Sequence, residues 1–134
     1  MKEMQRYISQ LNEAQQAPVL QKDGPMIVIA GAGSGKTRVL TVRIANLMSQ
    51  GVDAFNILAL TFTNKAAREM KKRIADIVGN NEAKNLWMGT FHSVFAKILR
   101  IEAEKLGYPS NFTIYDTQDS VRLIGAIIKE MQLD

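Results

Sequence analysis

The eight residues Ala30–Thr37, AGAGSGKT, restrict the fold of this chain more than any other stretch. Gly31, Gly33 and Gly35 let the backbone turn tightly and aim its N–H groups inward, which makes a concavity suited to anions. Such a loop works where a strand ends and a helix begins, because the helix adds the positive end of its dipole. Both flanks agree. Met26–Ala30, MIVIA, is a β-branched run that is apolar on both faces and reads as a buried parallel strand. After the loop, Leu40, Ile44, Leu47 and Met48 recur at helical spacing, and the helix is expected to end near Gln50 with Gly51 as its stop. Ala30 stands where the usual pattern has its first glycine, but that residue closes the strand and needs no positive φ. The expected phosphate-holding set is therefore Ala30, Gly31, Ala32, Gly33, Ser34, Gly35, Lys36 and Thr37. Lys36 would reach the β- and γ-phosphates of a nucleoside triphosphate, and the Thr37 hydroxyl would bind Mg²⁺. The competing reading is a glycine-rich connection with an incidental lysine.

The remaining chain alternates in the same way. Ile57–Thr61 reads as a second buried strand, and Thr63 or Asn64 caps a helix with Ala66, Met70, Ile74 and Ile77 on its apolar face. Gly79-Asn80-Asn81 breaks that helix. Leu86–Met88 reads as a third strand, and Gly89-Thr90 turns into a helix whose expected core face is Phe91, Phe95, Ile98 and Leu99. Gly107 ends it before Pro109. Strand, helix, strand, helix, strand, helix implies an α/β fold: an open, mostly parallel sheet flanked by helices, with right-handed crossovers. The tail departs from this alternation. Phe112–Tyr115 is a short extended piece, and Asp116 caps a last helix with Val121, Ile124, Ile128 and Met131 on one face. These shifts divide the chain into residues 1–108 and 109–134.

Composition sets outer limits. A chain of 134 residues with 46% apolar and 22% charged residues can build a packed core. Its net charge of +4 suits a polyanionic partner, and a solvated surface with a few extra lysines accounts for it equally. The absence of cysteine removes disulfides, thiol catalysis and cysteine-ligated zinc, and the single histidine, His92, excludes a multi-histidine metal site within the chain. MKEMQRYISQL lacks the apolar run of a signal peptide, and no stretch approaches the ~20 apolar residues of a membrane span. A cytoplasmic protein is the expectation.

Three further segments choose among phosphate-loop proteins: Leu11-Asn12-Glu13-Ala14-Gln15, Thr61-Phe62-Thr63-Asn64-Lys65-Ala66-Ala67 and Gly89-Thr90-Phe91-His92-Ser93. Together with AGAGSGKTR (Ala30–Arg38), and in this order, they resemble the N-terminal part of UvrD/Rep/PcrA-type superfamily 1 DNA helicases, from about Leu11 to Asp134. The resemblance implies a RecA-like ATP-binding domain, ATP and Mg²⁺ as cofactors, and single-stranded DNA and its junctions with duplex as substrate, with 3′ to 5′ movement. It assigns Gln15 to the adenine edge, where an amide's donor and acceptor suit N6 and N7. Asn12 and Gln15 also have the spacing of a helix capping box. It assigns Arg38 to the adenine face as a cation–π partner; a solvated first-turn residue is the plain alternative. Phe62, at a strand's C-terminal end, is either core or a platform on which a DNA base stacks, worth ~1–3 kcal/mol. Thr61, Thr63 and Asn64 would bond phosphates. Thr90 and His92 fall on the same rim and are assigned to DNA, although a lone histidine is often simply buried. Lys65, Arg68 and Lys72 share a helical face that reads as solvated surface.

The family's hydrolytic acidic pair is not found. Ile114-Tyr115-Asp116-Thr117-Gln118-Asp119 has an apolar lead followed by Asp-x-x-Asp, but no glutamate follows Asp116, and the pattern reads better as a cap opening a helix, similar to the family's helical insertion. The chain is therefore expected to be an N-terminal fragment, lacking the later helicase domains and leaving a sheet edge open to self-association. Two other readings use the same loop. A stand-alone nucleotide or single-strand binder without hydrolysis shares every residue named. A small-molecule kinase would leave TFTNKAA and GTFHS without a role. By itself the chain is expected to show no DNA-stimulated ATPase; turnover clearly above that of Lys36→Ala would refute this.

Overall fold

A computed structural model describes residues 2–132. Among them two compact units meet between Phe95 and Ala96, earlier than the division after residue 108 suggested by the sequence pattern.

In the first unit, β1 (Leu58–Thr61) and β2 (Trp87–Thr90) pair in parallel, with Leu58 opposite Trp87 and Thr61 opposite Thr90. Parallel strands need a crossover, here made by α4 (Asn64–Val78) and α5 (Asn80–Lys84). The Thr63 hydroxyl accepts from the Ala66 N–H at 3.1 Å, so Thr63 rather than Asn64 is the cap of α4. Gly79, at φ +99°, ends it. The buried face of α4 is Ala67, Met70 and Ile74; Ala66 is exposed and Ile77 half-buried. Ile74 is 0% exposed and sits in a cluster with Ile44, Ile57, Ala59 and Leu86.

A second cluster joins the N-terminal helices α1 (Lys2–Ser9) and α2 (Glu13–Leu20) to α3 (Lys36–Ser49), through Met4, Ile8, Leu11, Val19, Val39 and Val42. Polar bonds complete the joint. The last carbonyls of a helix have no partner within it. At the end of α2, the Ala17 carbonyl accepts from the Gln21 N–H, the Pro18 and Gln21 carbonyls accept from Arg43 Nη1, and the Val19 carbonyl accepts from Asn46 Nδ2 at 3.1 Å. Asn46 is buried, where an unpaired amide is costly, so this bond fixes the position of α2 on α3.

Several expectations require correction. Met26–Ala30 is not a strand, because no neighbouring chain among the described residues pairs with it; Ile27 and Ile29 are 89% and 95% exposed. An apolar run states that a surface wants covering, but only a hydrogen-bonded neighbour makes it a strand. Leu40 is exposed on α3, whose buried positions include Val39, Val42 and Ile44. β2 continues through Gly89 and Thr90, so α6 (Phe91–Glu102) starts directly from the strand. Its buried residue is Val94, while Phe91, Phe95 and Leu99 are exposed. In the second unit, a turn of 3-10 helix over Ala103–Leu106 ends at Gly107, and α7 (Thr117–Glu130) begins at a capping box formed by Asp116 and Asp119. Val121, Ile124, Ile128 and Met131 are all exposed. The helical period of these segments is as expected, but period alone cannot name the neighbour that covers a face.

Ile74→Ala should destabilise the first unit by ~2–5 kcal/mol, since buried apolar contacts are lost and the space left closes only in part. Thr63→Ala should cost about 1 kcal/mol. Urea unfolding of both variants checks the order.

Candidate functional site

The loop between Met26–Ala30 and α3 is shaped by its own hydrogen bonds. The Ser34 hydroxyl donates to the Gly31 carbonyl at 2.7 Å, closing a turn. Gly33 and Gly35 adopt φ of +75° and +83°, a region that side chains with a Cβ avoid. Gly35 is the N-cap residue of α3 and offers no side chain to its first N–H groups, which leaves that end of the helix as an electropositive site of exposed backbone. Lys36 folds back over the loop, its Nζ donating to the Ala30 carbonyl at 2.9 Å and the Gly31 carbonyl at 2.6 Å. Ala32 and Thr37 are exposed, and Thr37 stands in the first turn of α3 with its carbonyl accepting from the Thr41 hydroxyl.

One residue of α2, Gln15, reaches this loop. Asn12 and Gln15 form a reciprocal capping box at the start of α2. Gln15 also reaches across, its Nε2 donating to the Ser34 carbonyl at 2.9 Å. Arg38 donates from Nη2 to Gln10 Oε1 at 2.9 Å, so its guanidinium is turned towards the α1–α2 connection. A cleft of about 590 Å³ opens among α2, the Met26–Ala30 run and α3, with Gln15, Ser34, Lys36 and Arg43 among its walls. The sequence pattern marked Gln15, Lys36 and Arg38. It did not mark Gln10 or Arg43, whose partners lie 28 and 22–25 residues away in the chain and leave no local signal.

The second group of marked residues lies where β1 and β2 give way to helices. Thr61 is buried at 7% exposure, and its hydroxyl donates to the Thr63 carbonyl at 3.0 Å. The Thr63 hydroxyl accepts in its cap and keeps its own hydrogen to donate. These two bonds shape the turn that carries Phe62, which is 93% exposed. Its ring stands 5.8 Å from that of Phe91, tilted by 38°. Phe62 is therefore not a core residue; the turn presents it to solvent. Asn64 opens α4 and is exposed, as are Lys65, Arg68 and Lys72. On the neighbouring strand, Thr90 and Ser93 bond reciprocally, the Thr90 N–H donating to Ser93 Oγ at 3.0 Å and the Ser93 N–H to Thr90 Oγ1 at 3.3 Å. This is a capping box with serine in the place of the usual glutamate, which is why the sequence pattern missed it. Gly89 is required by the close start of α6: a Cβ there would come within 2.7 Å of Ser93 Oγ and 2.9 Å of Val94 Cγ2. His92 is exposed on the first turn of α6, not buried. Among the described residues, no group of three or more His, Cys, Asp or Glu side chains is arranged to hold a metal ion, and no helix is long and apolar enough to cross a membrane.

Gly35→Ala should destabilise the loop, because a left-handed backbone with a Cβ costs ~1–2 kcal/mol and the added carbon would meet Gln15 Nε2 at 3.0 Å. Faster amide exchange over residues 31–38, with α4 unchanged, is the expected readout.

Comparison with known proteins accounts for these segments together. Residues 11–134 match the family described as the UvrD/REP helicase N-terminal domain. The ATP-dependent DNA helicase PcrA of Bacillus subtilis (strain 168) is 52% identical over 128 residues, which make up 95% of this chain and 17% of that protein. The ATP-dependent DNA helicase PcrA of Staphylococcus aureus (strain Mu50) is 46% identical over 132 residues, 98% of this chain and 18% of that protein. That of Staphylococcus epidermidis is 47% identical over 132 residues, with the same coverage of 98% and 18%. The chain thus spans less than a fifth of the length of these relatives. With a match that runs from Leu11 onward and takes in the glycine loop, Gln15 and both rim segments, the chain belongs to the UvrD/REP helicase N-terminal domain family.

Proposed function

We propose that this chain is the nucleotide-binding part of an ATP-dependent DNA helicase and translocase, with a RecA-like fold around its parallel strands and 3′ to 5′ movement as its family resemblance implies. The observation that carries the proposal is the convergence of Lys36, Gln15 and the N-terminus of α3 on one loop. A triphosphate would lie along Ala30–Thr37, accepting from the loop N–H groups, while Lys36 leaves the Ala30 and Gly31 carbonyls for the β- and γ-phosphates. Gln15 would meet the adenine edge, and Arg38 would leave Gln10 to cover the adenine face.

The residues fit Mg²⁺ in the way that ion prefers. It takes few protein ligands and is held mainly by phosphate oxygens and water. An exposed Thr37 hydroxyl on the first turn of α3 supplies one such ligand. When bound, the ion neutralises phosphate charge. Hydrolysis needs an acidic pair to orient water, and we assign Asp116 and Asp119 instead to the α7 cap, where each accepts a backbone N–H.

Single-stranded DNA would cross the rim where β1 and β2 end. Phe62 is the stacking platform, supported by Phe91; Thr63, Asn64, Thr90 and His92 lie beside it for the sugar–phosphate backbone, and Thr61 holds the turn from within. Stacking tolerates every base, which suits an enzyme that moves along any sequence.

Two measurements test this. Lys36→Ala should reduce ATP affinity at least about tenfold, because charge-assisted bonds to phosphate are among the strongest; unchanged binding in a nucleotide titration would remove the loop from the proposal. Phe62→Ala should weaken oligothymidylate binding by ~1–3 kcal/mol. With about three phosphate contacts, log affinity should fall with log salt at a slope near −2. Salt-independent binding would argue against a DNA rim.

A further inference from the structure

We infer that Gln15 also positions the phosphate loop, so that the residue proposed to meet the base sets the direction of an N–H that meets the phosphates. This second task presupposes the nucleotide site proposed above.

Gln15 is held at two points before it reaches the loop. Its N–H donates to Asn12 Oδ1 at 2.9 Å, and its Oε1 accepts from the Asn12 N–H at 3.2 Å. With root and oxygen fixed, the amide nitrogen is aimed at the Ser34 carbonyl, 2.9 Å away and 19 residues along the chain. The helix that carries it is itself fixed to α3 by Asn46 and Arg43. The clasp therefore joins two anchored elements.

Peptide planarity gives this bond its consequence. A trans peptide points its C=O and its N–H to opposite sides. Anchoring the Ser34 carbonyl on Gln15 therefore turns the Gly35 N–H away from Gln15, at the residue where α3 begins and anions are favoured. The packing is close: glycine is favoured at residue 35 by its φ of +83°, and a Cβ there would lie 3.0 Å from Gln15 Nε2 and press on the clasp.

The donor inventory allows both tasks at once. A primary amide has two N–H hydrogens and two oxygen lone pairs. The cap uses one lone pair and the clasp uses one hydrogen. One hydrogen and one lone pair remain, the complement of an adenine N7/N6 edge. Gln15 need not release the loop to meet the base.

Inorganic tripolyphosphate with Mg²⁺ separates the two tasks, since it has phosphates and no base. It should be titrated by calorimetry against the wild-type chain, Gln15→Leu and Asn12→Ala, with circular dichroism as the check on folding, and the series repeated with ATP. Gln15→Leu removes the donor at similar length; Asn12→Ala removes its share of the cap and leaves the amide in place. Gln15→Leu should bind tripolyphosphate about three- to tenfold more weakly, the scale of one neutral hydrogen bond, and ATP more weakly still. Asn12→Ala keeps the backbone N–H that holds Gln15 Oε1 and should lose clearly less tripolyphosphate affinity than Gln15→Leu. If Gln15→Leu does not fold, Gln15→Asn, with the same amide on a shorter stem, should show the same loss. Unchanged tripolyphosphate binding with weakened ATP binding overturns the positioning task and leaves the nucleotide site standing. An equal loss in Asn12→Ala assigns the effect to the cap and also overturns it. Failure of the wild type to bind either ligand removes the nucleotide site and the inference together.

Discussion

The end of α2 is where this structure is decided. A helix that stops inside a folded unit leaves carbonyls that must find donors, and here α3 provides them. Arg43 serves two of these carbonyls and Asn46 a third, while Val19, Val39 and Val42 close the apolar side of the same joint. Because α3 is also the helix that receives the glycine loop, the joint fixes Asn12 and Gln15 relative to Ser34 and Gly35. Without it, Gln15 would be a capping residue of a short helix with no reason to lie near the loop.

The same economy recurs at the rim. Thr61, Thr63, Thr90 and Ser93 spend their hydroxyls on backbone groups and on one another. These bonds hold two strand-to-helix turns in shape and leave aromatic surface outside them. Phe62 is exposed because the residues on either side of it are tied down. A free turn would be expected to fold so apolar a ring against its neighbours, at ~25 cal/mol for each Å² covered. The polar residues of the rim are thus first of all its scaffold, and the proposed contacts with nucleic acid come from what that scaffold presents.

Much of this was legible in the sequence, for reasons that differ by residue. The glycine loop and the Asp116 cap are local patterns, encoded within four to eight neighbouring residues, and they are where the sequence placed them, while of the two α4 caps it offered, Thr63 and Asn64, the structure takes Thr63. Helix periods were legible too. Helix faces were read less well: in α4 the buried alanine is Ala67 rather than Ala66, and in α6 it is Val94 that is buried and not the phenylalanines. A face is chosen by a distant partner, and a one-dimensional pattern does not contain it. Met26–Ala30 shows the limit most plainly. Its hydropathy is that of a central strand, but pairing is a property of two segments, and no second segment pairs with it among the described residues. Gln10 and Arg43 were invisible for the same reason, since their roles come from residues more than twenty positions away.

Lys36 gives the glycine loop an unusual character. With its ammonium on the Ala30 and Gly31 carbonyls, the site already contains a cation in contact with the oxygens that line it. On the function proposed above, entry of an anion would be an exchange and not a filling, with two intramolecular bonds opening as new ones form. The affinity of such a site is a difference between two bonded states. A weaker resting place for the lysine would therefore favour the anion-bound state, because less is given up when the exchange occurs.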